Sequence, residues 1–143
     1  MDRKILWLVL LAGLVISAGG GAPASAKAIE WHTYQDGMAR GKFEKKQIFL
    51  HFYADWCMYC KKMQQTTFKD PEVIDTLNQD YIPIRINTDL EPEIAALYKV
   101  EPIPDTWFIF FNGEPNGNRT GYVSPEEMKV LLKLLKGEPA TGQ

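Results

Sequence analysis

A nearly continuous apolar hexapeptide, Ile48-Phe49-Leu50-His51-Phe52-Tyr53, ends four residues before the first of two cysteines, Cys57 and Cys60. Six such residues match a strand covered on both faces. From Cys57 to about Thr67 there is neither glycine nor proline, and Lys61, Lys62, Met63 and Gln64 favour helix. The cysteines therefore stand where a buried strand gives way to a helix. That succession belongs to α/β architecture, in which reactive groups gather beyond the carboxyl ends of the strands.

The remaining pattern continues the alternation. Residues 27–46 read as an extended entry followed by a helix. Asp70-Pro71-Glu72 supplies a cap, a first-turn proline and a first-turn acid for a helix reaching about Asn78. Tyr81 to Asn87 is a second strand with Ile82, Ile84 and Ile86 on one face, and Glu91 to Tyr98 is a short helix. Thr106 to Phe111 is a third strand, Asn112-Gly113 a turn, and Arg119 to Val123 an antiparallel return. Ser124-Pro125-Glu126-Glu127 is a capping box, and Met128, Leu131, Leu132 and Leu135 form the apolar stripe of the helix it opens. The expected fold class is α/β with a central mixed sheet flanked by helices.

The N-terminus carries a different signal. Arg3 and Lys4 precede an apolar run from Ile5 to Ile16, small residues, and Ala24-Ser25-Ala26. Residues 1–26 match a secretory signal peptide cleaved after Ala26, with an uncleaved N-terminal anchor as the other reading. Residues 27–143 are then a single domain, large enough for one core. Localisation is expected to be periplasmic or otherwise exported. The formal net charge of −2 provides no basic field for nucleic acid. Two cysteines in all exclude a disulfide-dense scaffold and a four-cysteine zinc site.

Cys57-Met58-Tyr59-Cys60 at a helix start has its own chemistry. Unpaired N–H groups and the partial positive charge there stabilise a thiolate at Cys57. Cys60, one turn on, can attack a mixed disulfide formed at Cys57. Three other readings compete. A purely structural disulfide would close only a very small loop. A metal site would need His32 and His51, which lack ligand spacing. Haem attachment would need histidine where Lys61 stands.

The segment Phe52-Tyr53-Ala54-Asp55-Trp56-Cys57-Met58-Tyr59-Cys60-Lys61-Lys62-Met63 resembles the active-site segment of the thioredoxin superfamily. Downstream, Phe68, Asp70, Pro71 and Val73 resemble exported thioredoxin-like domains, including the C-terminal periplasmic domain of transmembrane disulfide reductases. A second match runs from Arg85-Ile86-Asn87-Thr88-Asp89 through Tyr98 to Val100-Glu101-Pro102-Ile103-Pro104, and Asn112-Gly113-Glu114 resembles the family's hairpin turn. The resemblance spans roughly residues 29–136. It implies a thioredoxin fold, a nucleophile at Cys57 and a resolving thiol at Cys60. It also implies a cis-proline at Pro104 rather than Pro102, and Ile103 as the residue whose backbone pairs with substrate. Trp56, which matches the family's active-site tryptophan, would be a substrate-facing platform, with a core aromatic as the other reading, and Tyr59 would shape the substrate-facing surface near Cys57.

Departures from the family pattern are equally specific. His51 stands six residues before the nucleophile, where a buried aspartate is usual. It can serve as a proton relay or as a satisfied core histidine. Arg85 replaces a lysine, and Asp105 follows Pro104 where threonine is common. The strand after Asp105 reads one residue longer, which suggests a bulge at the edge of the substrate groove. The functional expectation is an exported thiol–disulfide oxidoreductase that reduces protein disulfides, works as a monomer without bound cofactor or metal, and is recharged by a membrane electron donor. A disulfide oxidase or isomerase is the alternative within the enzyme class. A non-catalytic binding or metal-delivery module is the alternative outside it.

Overall fold

The structure, a computed structural model, describes residues 27–137. The leader reading of residues 1–26 lies outside the described residues. Ten elements follow in order. They are α1 (Tyr34–Glu44), β1 (Gln47–Tyr53), α2 (Met58–Gln65), a 3-10 turn (Thr67–Lys69), α3 (Pro71–Asp80), β2 (Tyr81–Asn87), α4 (Pro92–Leu97), β3 (Asp105–Ile109), β4 (Pro115–Thr120) and α5 (Pro125–Leu134). The sheet order is β2-β1-β3-β4. β1 runs parallel to β2 and antiparallel to β3, and β3 pairs antiparallel with β4. This is the α/β thioredoxin fold, a mixed sheet between helices.

Two-residue periodicity divides the central strand between two cores. Phe49 faces Met63, Phe68, Leu77 and Met128, on the side of α2, α3 and α5. Ile48, Leu50 and Phe52 face the other way, with Ile84, Ile86 and Ala95. Both faces are covered, which is why β1 reads as almost unbroken apolar sequence. On the second face α1 approaches closely enough that a Cβ on Gly37 would overlap the Ile84 side chain.

The helix starts follow local chemistry. Asp70 caps α3 by accepting the N–H groups of Glu72 at 3.0 Å and Val73 at 3.1 Å. Lys129 reaches the same carboxylate at 2.9 Å and ties α5 to α3. Ser124 accepts the Glu127 N–H at 3.2 Å, but the Glu127 carboxylate binds Arg119 at 2.8 Å, so the capping box is half used.

The hairpin corrects two expectations. β4 occupies residues 115–120 rather than 119–123. Its residues, Pro-Asn-Gly-Asn-Arg-Thr, carry no apolar alternation because the edge strand is largely exposed. The Asn112-Gly113 turn fixes it, with the Phe110 N–H donating to the Glu114 carbonyl at 2.9 Å. The irregularity in the ladder falls between Phe108 and Ile109, not beside Pro104. Asn116 is the extra residue there, and its side chain caps α5 by donating to the Leu135 carbonyl at 2.7 Å.

Candidate redox site

Strand β1 delivers Tyr53 to the carboxyl edge of the sheet, and four residues later the chain enters α2. A tight turn makes the connection, with the Cys57 N–H donating to the Ala54 carbonyl at 3.2 Å. Cys57 is the N-cap of α2. Its Sγ accepts the Cys60 N–H at 3.2 Å, so sulfur takes the place of the usual capping oxygen. The two cysteines are joined as a disulfide, their Cα atoms 5.2 Å apart. Both are buried, packed against Ala54, Tyr53 and Ile103.

The residues around the pair form a mostly apolar rim. Trp56 is 68% exposed, Tyr59 61% and Met58 81%. Large side chains left in water beside a reactive pair can exchange solvent for a partner's surface. The Trp56 indole is held in place, its Nε1–H donating to Asp89 Oδ2 at 2.9 Å. Asp89 is fixed in turn, its own N–H donating to Asn87 Oδ1 at 3.0 Å. The Thr88 N–H donates to the Tyr53 carbonyl at 2.9 Å and closes the end of β2 onto β1. Asp89 was not among the site residues expected from sequence; its signal lay in the Asn87-Thr88-Asp89 stretch of the second motif.

The Ile103–Pro104 peptide bond is cis, and Ile103 packs on the cysteine cluster. The next residue, Asp105, is 4% exposed. Its carboxylate accepts from Trp107 Nε1–H at 2.8 Å, the Thr120 hydroxyl at 2.9 Å and Asn118 Nδ2–H at 3.5 Å. These donors from β3 and β4 satisfy a carboxylate that burial would otherwise penalise. They anchor the strand that leads away from the Pro104 loop.

His51 is 1% exposed and lies deeper in β1. Its ring stacks on Tyr53 and meets the Phe68 ring edge-on at 4.8 Å. Its Nδ1 is 3.3 Å from Thr106 Oγ1. Burial, with the Arg85 guanidinium adding to it, pushes its pKa down to about 3. Arg85 itself lies over the Tyr53 ring, 3.9 Å from the centroid. The imidazole is therefore neutral throughout the physiological range. Lys61 is exposed, and Lys62 packs over the Tyr122 ring at 4.4 Å. Among the described residues no group of three His, Cys, Asp or Glu side chains is placed to hold a metal ion.

The geometry sets a capped sulfur, a second sulfur one helical turn away and an apolar rim at the end of a buried strand. Such a pair can hold or release two electrons and two protons as disulfide or dithiol. The chain is similar to several known proteins. A family model described as a thioredoxin-like domain matches residues 34–136. The thiol:disulfide interchange protein DsbD of Vibrio vulnificus is 33% identical over 94 residues, covering 62% of this chain and 16% of that protein. The chain thus corresponds to a minor part of the length of such relatives. Among solved structures, DsbH oxidoreductase superposes with a TM-score of 0.65 at 25% identity, covering 79% of this chain and 90% of its own. The C-terminal domain of Neisseria meningitidis DsbD, in its reduced form, shares the fold with a TM-score of 0.61 at 24% identity, over 70% of this chain and 91% of its own.

Proposed function

We infer that this chain, which belongs to the thioredoxin-like domain family, is an exported thiol–disulfide oxidoreductase that reduces disulfides in other proteins. The observation that carries this reading is the capping of Cys57 Sγ at the start of α2, with Cys60 one turn behind it. A helix N-terminus favours negative charge, so in the reduced pair Cys57 is the thiolate and the attacking sulfur.

The cycle balances as follows. The Cys57 thiolate attacks one sulfur of a substrate disulfide, the substrate S–S bond breaks, and the departing substrate thiolate takes a proton. Cys60 then loses its proton and attacks Cys57 Sγ. This closes the Cys57–Cys60 disulfide and expels the second substrate sulfur as a thiol. The substrate gains two electrons and two protons, and the chain returns to the oxidised state seen in the structure. A membrane electron-transfer protein, passing on two electrons by the same exchange, is the donor we propose. Residues 1–26, a cleavable export signal, would bring the domain to the donor's compartment.

In this scheme Trp56, Tyr59, Ile103 and Pro104 form the surface that receives substrate. His51 enters only as a neutral imidazole packed behind the site, since a base with a pKa near 3 does not store a proton at neutral pH. The sequence Met58-Tyr59 between the cysteines lacks the Pro-His that accompanies strong oxidants of the superfamily, which favours the reducing direction.

The test is the reduction potential of the Cys57–Cys60 pair, measured by equilibration with glutathione or dithiothreitol and thiol trapping. A potential near about −270 mV supports a reductase, and one near about −120 mV makes the protein a disulfide donor instead. A pair that does not cycle overturns the exchange reading.

A further inference from the structure

Next to the redox pair lies a cleft of about 300 Å³, walled by Trp56, Pro92, Ala95, Val100, Glu101 and Ile103 among others. Two of its walls are also walls of the redox site. Trp56 adjoins Cys57 in the chain, and Ile103 packs against the cysteines. Any side chain seated in the cleft therefore belongs to a residue close to the substrate's own disulfide.

The chemistry of the cleft is narrow. Glu101 is the sole titratable residue among those that line it. The other polar side chains are occupied, since the Trp56 indole N–H donates to Asp89 and the Thr88 hydroxyl to the Tyr53 carbonyl. The side chains left for a ligand are apolar ones, the Trp56 indole and the Glu101 carboxylate. The surrounding segment is acidic as well, with Asp89, Glu91, Glu93 and Glu101 against Lys99. None of the ion pairs among the described residues engages any of these acids.

A long alkyl stem ending in a cation matches this set of groups. The stem lies along apolar wall while the charged head stays at the rim. There both a carboxylate and the face of an indole attract it. We propose that the cleft receives a lysine or arginine side chain of the substrate polypeptide, close to the disulfide being reduced, and that Glu101 sets this preference. The proposal rests on the exchange reading above and adds a substrate class to it: disulfides flanked by basic residues.

The experiment compares extended peptides carrying one chromogenic mixed disulfide, with lysine, norleucine or glutamate two residues to either side of the cysteine. The reduced protein is expected to show kcat/KM roughly three- to tenfold higher for the lysine peptide than for the glutamate peptide, with the ratio shrinking as salt is added. In Glu101→Gln the ratio falls toward one, and in Glu101→Lys it inverts. Equal rates for all three peptides, or a lysine preference that survives in Glu101→Gln, overturn the subsite while leaving the exchange reading standing. Failure to reduce any peptide overturns the exchange reading. The subsite is then decided separately, by titrating the oxidised protein with serine-for-cysteine peptides and following the amide resonances of residues 88–103. Tighter binding of the lysine peptide that is lost in Glu101→Gln supports the cleft assignment, and indifference to charge overturns it.

Discussion

The backbone N–H of Cys60 donates to Cys57 Sγ at 3.2 Å, so the Cys57 sulfur is also the N-cap of the helix that carries its partner. One interaction thereby serves two ends. It satisfies a helix-terminal donor, and in the reduced pair it would place a thiolate at Cys57 where the helix favours negative charge.

The two cysteines are accordingly not interchangeable. Cys57→Ser should abolish disulfide reduction, a loss of roughly two orders of magnitude or more. Cys60→Ser should still attack substrate but fail to release it, accumulating a mixed disulfide that dithiothreitol resolves. Non-reducing electrophoresis and intact mass distinguish the two, and trapping through Cys60 instead of Cys57 would reverse the assignment. The Cys57 thiolate, followed by its ultraviolet absorbance, should titrate below the ordinary cysteine value of about 8.5.

Trp56 depends on Asp89 for its orientation. Asp89→Ala should lower kcat/KM for protein disulfides about two- to tenfold, the effect of losing one partly exposed hydrogen bond. Asp89→Asn, which keeps an acceptor oxygen, should retain most of the rate. Equal losses in both variants would point to the charge of Asp89 rather than to the indole it holds.

His51 should make the fold sensitive to acid. Its native pKa, about 3, lies below its unfolded value of about 6.5, so the unfolded chain binds the proton more tightly. The contribution is fully present above about pH 6.5 and is lost as pH falls toward 3, by about 1.4 kcal/mol per unit. Urea midpoints for wild type and His51→Asn between pH 7 and 4.5 test this. An identical slope in the two proteins would remove His51 as the cause. Asp70 acts at lower pH. Burial alone would raise its pKa, but the Lys129 bond and the Val73 and Glu72 N–H groups hold it below its usual 3.8. Its contribution is present above that value and fades as pH drops beneath it.

Gly37→Ala tests close packing against helix propensity. Alanine in the interior of α1 would ordinarily stabilise a helix by about 1 kcal/mol. Here the added Cβ overlaps Ile84 in the core, and overpacking costs about 1–3 kcal/mol. The variant is expected to be less stable by roughly 1 kcal/mol. A rise in melting temperature would show that Ile84 yields freely.

Local sequence determined the elements whose cause is local. The apolar run of β1, the capping residues Asp70 and Ser124, and the cysteine spacing at the head of α2 were legible because each depends on residues a few positions away. The second motif marked Pro104 through its resemblance to a family, although nothing nearby distinguishes it from Pro102. Tertiary structure alone decided what depends on distant partners. β4 has no apolar pattern of its own and exists because β3 offers it an edge. Asp89 matters because Trp56, 33 residues away, donates to it. The sequence left His51 open between relay and core residue. Its enclosure by Phe68, Tyr53 and Thr106, beside Arg85, makes it a neutral ring. Periodicity reports that a residue is buried, but the charge state of a buried group is set by what the rest of the fold places around it.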